Sequence, residues 1–80
     1  MRIDKFLKNS RLIKRRTIAK EACDQGKITI NGKEAKAGSE VKVGDELVLT
    51  FGAKQMRVLV EELSEHVTKD SSKEMYKIIE

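Results

Sequence analysis

Apolar side chains stand at Ile3, Phe6 and Leu7, the i, i+3, i+4 spacing that shares one helical face, while Arg2, Lys5 and Asn9 point elsewhere. A short first helix over about residues 2–9 is predicted. Ile18, Ala19, Ala22 and Cys23 close into a second arc at about 100° per residue, with Arg16, Thr17, Lys20, Glu21, Asp24 and Gln25 on the rest of the wheel. Arg15 would fall among the apolar residues on that wheel, so the second helix is placed from about Arg16. Gly26 suits the left-handed position that follows a last helical turn.

Beyond Gly26 the period becomes two, through Lys27-Ile28-Thr29-Ile30, then Asn31-Gly32, then Lys33-Glu34-Ala35-Lys36. Asn-Gly accepts positive φ at both central positions of a tight turn, which predicts a two-residue hairpin. Ala37 to Glu40 reads as a loop, Val41-Lys42-Val43 as a short extended piece, and Gly44-Asp45 as a turn. Leu47 to Phe51 and Met56 to Val60 read as strands, broken by Gly52 with Lys54 and Gln55 at the bend. The expected class is α+β: two short N-terminal helices packed on a small antiparallel sheet, with a flexible C-terminal tail. Residues 1–60 form the domain in this reading, and 61–80 the acidic tail. Within that tail only Met75, Tyr76, Ile78 and Ile79 offer a docking turn or two of helix, too short to stand alone.

Eighty residues allow one small domain and one site. Two Phe, one Tyr and no Trp are too few for a platform on which unpaired bases stack, leaving backbone and shape contacts as the route to nucleic acid. One Cys excludes an internal disulfide, and no apolar run approaches the roughly 18 residues of a membrane span. These features suit a reducing cytoplasm, with no membrane partner and no cofactor expected. The net charge of +4 divides unevenly, since residues 1–60 carry +7 and residues 61–80 carry −3. Nine cations lie between Met1 and Lys27: Arg2, Lys5, Lys8, Arg11, Lys14, Arg15, Arg16, Lys20 and Lys27. Isolated charges of this kind are ordinary solvated surface, but four cations in the six positions 11–16 repel one another. A polyanion relieves that repulsion.

Other chemistry is thinly represented. Cys23 lies on the apolar arc and reads as a buried structural thiol. His66 is the lone His and has no ligand partner at metal spacing, so no metal site is expected. A Cys23–His66 nucleophilic pair would require the tail to fold across the body. Glu61, Glu62 and Glu65 are more simply solvated charge than paired catalytic carboxylates. Asn31-Gly32-Lys33 either reaches for a ligand or merely makes its turn. Insertion of the second helix into duplex DNA is a minor alternative, because few base-reading side chains line it.

Four motifs in order carry a family likeness: Met1-Arg2-Ile3-Asp4-Lys5-Phe6-Leu7, Ser10-Arg11-Leu12-Ile13-Lys14-Arg15-Arg16-Thr17-Ile18-Ala19, Ala22 to Gly32, and Val41-Lys42-Val43-Gly44-Asp45-Glu46. Together they resemble the RNA-binding domain first named for small-subunit ribosomal protein S-four, over about residues 1–52. The stand-alone form and the segment Ser10 to Thr17 are most similar to members that act in bacterial ribosome-associated quality control. That resemblance implies a non-enzymatic accessory factor on an obstructed large ribosomal subunit. Its partners would be large-subunit rRNA and peptidyl-tRNA, with the elongation factor that adds alanine tails to stalled chains as a further candidate, and it would be a monomer off the ribosome. The more distant fifteen-kilodalton heat-shock protein implies subunit recycling instead, and an adaptor that docks through its tail is the alternative from another class.

The resemblance implies that Arg2, at the matching family position, contacts RNA. The candidate interface is Arg2, Arg16 and Arg15 first, then Arg11, Lys14, Lys5 and Lys20, with Lys8, Lys27 and Lys33 behind. Guanidinium groups pair bidentately with phosphate oxygens, and A-form RNA is bound through phosphates, 2′-hydroxyls and shape.

Overall fold

The computed structural model describes residues 1–65 and 71–79. Helix α1 spans Ile3–Asn9 and α2 spans Arg16–Asp24, close to the predicted limits. Ile3, Phe6 and Leu7 are completely buried, as their shared face requires. The first turn of α1 has no capping side chain at Arg2; instead the Ile3 N–H donates to the Ser39 carbonyl at 2.8 Å and the Asp4 N–H to that of Ala37 at 3.4 Å. A main-chain loop thus supplies acceptors that a helix start otherwise seeks from a side chain or water.

Arg11, φ 62°, occupies the left-handed position just past α1 that glycine usually takes. At the end of α2 the Gly26 N–H donates to the Cys23 carbonyl at 3.0 Å and the Lys27 N–H to that of Ala22 at 2.9 Å. With Gly26 at φ 72°, this is a Schellman closure. Ala19, Ala22 and Cys23 are buried, whereas Ile18, expected on the same arc, is 45% exposed at its margin.

Five antiparallel strands follow in the order β2-β1-β3-β4-β5: β1 (Ile28–Ile30), β2 (Lys33–Glu34), β3 (Glu46–Phe51), β4 (Lys54–Val60) and β5 (Tyr76–Ile79). Asn31 at φ 51° and Gly32 at φ 85° join β1 to β2 as expected, with Ile30 opposite Lys33. Ile28 opposite Leu49, Ile30 opposite Leu47, and Leu47 opposite Val58 place one apolar face against the helices. The fold is α+β.

The Val41 N–H donates to the Met1 carbonyl at 2.9 Å and its side chain is buried, while Val43 is exposed. Two expectations are corrected. Lys54 and Gln55 belong to β4, opposite Phe51 and Thr50, so the bend is Gly52-Ala53. The larger change concerns the expected flexible tail. Residues 71–75 form a 3-10 turn and Tyr76–Ile79 pair with β4, Val60 opposite Tyr76 and Val58 opposite Ile78. Two forces hold that segment, because Met75 is fully buried in the core and β5 satisfies the outer edge of β4. His66 lies outside the described residues.

Candidate nucleic-acid interface

The site is built around Asp4. Its side chain is inaccessible to solvent at the second position of α1, yet Arg2 and Arg16 both reach it. Arg2 Nε lies 3.3 Å from Oδ1 and Nη2 3.4 Å from Oδ2; Arg16 Nε lies 3.3 Å from Oδ2 and Nη2 3.4 Å from Oδ1. Each guanidinium therefore straddles both carboxylate oxygens. The Lys5 N–H donates to Oδ1 at 2.8 Å, closing one more first-turn donor.

This arrangement leaves cationic capacity at the surface. Two guanidiniums share one carboxylate, so one positive charge is in excess, and the Arg2 and Arg16 side chains remain 49% and 42% exposed. Each presents five N–H donors in a fixed fork, of which Asp4 engages only the Nε and Nη2 side. With both side chains about half exposed, the remaining donors are open to phosphate oxygens.

Neighbouring elements hold this pair in place. The Arg2 backbone pairs with that of Glu40 in an isolated antiparallel bridge, and the nearest atoms to a Cβ built on Gly38 are those of the Arg2 guanidinium, at 3.8–3.9 Å. The loop 37–40 is thus a floor beneath Arg2. Glu40 itself accepts from the Met1 ammonium at 2.8 Å; that hydrogen bond first, and then the ammonium charge, hold its carboxyl below the usual range.

The other predicted cations are distributed as follows. Arg15 is the extended residue before α2, and Lys20 stands one turn beyond Arg16 on the same helical face. Lys14 and Arg11 lie in the segment joining the helices, and all four are exposed with no ion pair among the described residues. Lys5 differs, since its Nζ pairs with Glu65 at 2.8 Å. Lys8, Lys27 and Lys33 are exposed.

The hairpin tip has a structural task. The Asn31 side chain donates to Asp45 Oδ1 at 3.1 Å and accepts from the Glu46 N–H at 2.9 Å, tying β1 to the turn before β3. Cys23 is 1% exposed, and burial first, then the charges of Asp4 and Asp24, push its thiol up to about 11. Such a group is protonated and inert near neutrality. Among the described residues no cluster of His, Cys, Asp and Glu could hold a metal, and no helix is long and apolar enough to cross a membrane.

Sequence reading missed Asp4. It flanks the apolar arc of α1 one turn before Leu7 and Lys8, a position compatible with burial, but its partner at residue 16 becomes visible only when the helices pack.

A helix pair offering clustered guanidiniums above an antiparallel sheet defines a small RNA-binding type of domain, and the model of the S4 domain matches residues 1–47. The chain belongs to the S4 domain family. Within it, the chain is 58% identical to the RQC P-site tRNA stabilizing factor of Bacillus subtilis over 79 residues, covering 99% of this chain and 92% of that one. It is 54% identical to the protein of the same name from Listeria monocytogenes, covering 99% and 86% of the two chains. Among solved structures, heat shock protein 15 of Vibrio cholerae superposes with a TM-score of 0.90 at 26% identity, covering 99% of this chain and 81% of that one.

Proposed function

We propose that this chain is a non-enzymatic RNA-binding factor of ribosome-associated quality control. It binds obstructed large ribosomal subunits through rRNA and peptidyl-tRNA, and it supports the addition of alanine tails to stalled chains. The observation that carries the reading is the pair of half-exposed guanidiniums, Arg2 and Arg16, on one buried carboxylate. The names of the full-length relatives, tRNA stabilizing factors of the P site, agree with it. Arg15, Lys20, Arg11 and Lys14 extend the surface along the helices, and Lys5 contributes at its margin. The chemistry demanded is recognition alone: phosphates are held by charge-assisted bonds, and stabilisation follows from preferential binding of the occupied subunit.

The test is co-sedimentation of a triple variant, Arg2→Ala, Arg15→Ala, Arg16→Ala, with large subunits carrying peptidyl-tRNA. Loss of binding with an unchanged circular dichroism spectrum is expected. Retained binding rejects this face. Removing residues 65–80 does not separate this reading from an adaptor docking through its tail, because that cut also removes β5 and Met75.

A further inference from the structure

We infer that Asp4 is a positioning residue for RNA binding, holding the Arg2 and Arg16 guanidiniums at a fixed mutual spacing so that they meet RNA phosphates as one preformed unit. The inference rests on the function proposed above and deepens it.

Three observations carry it. Asp4 is fully buried and negatively charged in a chain whose excess charge is positive, and its two oxygens serve both guanidinium groups and one backbone N–H. Arg2 precedes α1 and Arg16 begins α2, so the carboxylate spans the two helices. Gly38 of the loop 37–40 lies close to the Arg2 guanidinium, where an added Cβ would stand 3.8–3.9 Å from it, and the Arg2 backbone is paired with Glu40. A long, flexible side chain loses rotamer freedom when it binds, and a guanidinium already held in a fork loses less. Asp4 therefore meets that cost during folding instead of at the encounter with RNA.

The sign of its effect separates positioning from bulk charge. Removing a carboxylate raises the net charge, and charge alone would tighten binding to a polyanion. Positioning demands the opposite.

The experiment measures the affinity of Asp4→Asn for purified large ribosomal subunits beside Arg2→Ala, Arg16→Ala and the native chain, with Arg Nε–H nuclear magnetic resonance spectra of the free proteins. Asp4→Asn is expected to bind about ten-fold more weakly despite its added charge, with a shallower salt slope. In the native spectrum the Arg2 and Arg16 Nε–H signals should be dispersed and protected relative to those of Arg11 and Arg15, and that difference should vanish in Asp4→Asn. Equal or tighter binding by Asp4→Asn, while both arginine variants are weakened, overturns the inference and leaves the proposed function standing. If both arginine variants bind as the native chain does, the proposed function fails instead. Should Asp4→Asn not fold, the native spectrum decides, and Arg2 and Arg16 signals as averaged as that of Arg11 overturn it.

Discussion

The carbonyl of Met75 accepts the N–H of Glu61 at 2.8 Å while the Met75 side chain is wholly buried. The end of β4 and the start of β5 are thereby locked through one residue, which makes the C-terminal segment part of the folded body. Met75→Ala should cost about 2–5 kcal/mol of stability, the range for emptying a buried Met site. Truncation after residue 70 should cost at least as much, since β5 goes with it. Urea denaturation followed by circular dichroism checks both, and a truncated chain as stable as the full one would refute the assignment.

Gly26 has a backbone reason to remain glycine. Its φ of 72° disfavours a side chain, whereas the Glu34 carboxylate that a Cβ there would meet is the far end of an exposed, flexible side chain and can swing aside. Gly26→Ala should lose roughly 1–2 kcal/mol from the left-handed backbone alone. Because the Glu34 carboxylate can move aside, adding Glu34→Ala should recover little of that loss in thermal melts, and full recovery would show that the side-chain contact and not the backbone sets the cost.

Cys23 should resist thiol reagents in the folded chain at pH 8 and react at once in denaturant. Because burial raises its pKa to about 11 from an ordinary 9.0, the unfolded chain loses this proton first as pH climbs. Its contribution to stability is therefore complete below pH 9 and is lost as pH rises toward 11. Denaturation midpoints of the native chain and Cys23→Ala, compared between pH 8 and pH 11, test the sign: the native midpoint should fall further than the variant's.

Not all cations should count equally. Lys5 is paired one-to-one with Glu65, whereas Arg16 shares the Asp4 carboxylate with Arg2 and keeps open donors, so Lys5→Ala should weaken binding to large subunits by less than Arg16→Ala. If about 4 to 6 phosphates are neutralised, the log-log slope of affinity against salt should lie near −3 to −5. Titrations from low to moderate salt give that slope, and a flat line would exclude a phosphate-reading surface.

The legible parts of this chain are those governed by near neighbours. Gly26 marks the end of α2 because the constraint is local, and Asn31-Gly32 marks its hairpin for the same reason. The clustering of cations ahead of α2 was visible as charge density, and it locates Arg15 and Arg16 where the second helix starts. Asp4 and β5 were not legible. The first acts across a helix-helix contact, and the second shows no alternation of its own: Ile78 faces the same side as Val58 and remains 55% exposed, so strand formation is decided by the waiting edge of β4. Lys54 and Gln55 read as a bend because polar residues beside a glycine suggest a turn, whereas Gly52 and Ala53 alone suffice.

The helix that carries Asp4 begins on carbonyls from Ser39 and Ala37, groups that every amino acid possesses. The first turn of α1 therefore depends on the course of that loop's backbone, which the Ser39 hydroxyl helps to hold by accepting the Lys36 N–H at 2.9 Å. Insertions or deletions between residues 36 and 40 shift the acceptors themselves. Relatives should therefore resist changed length in this stretch.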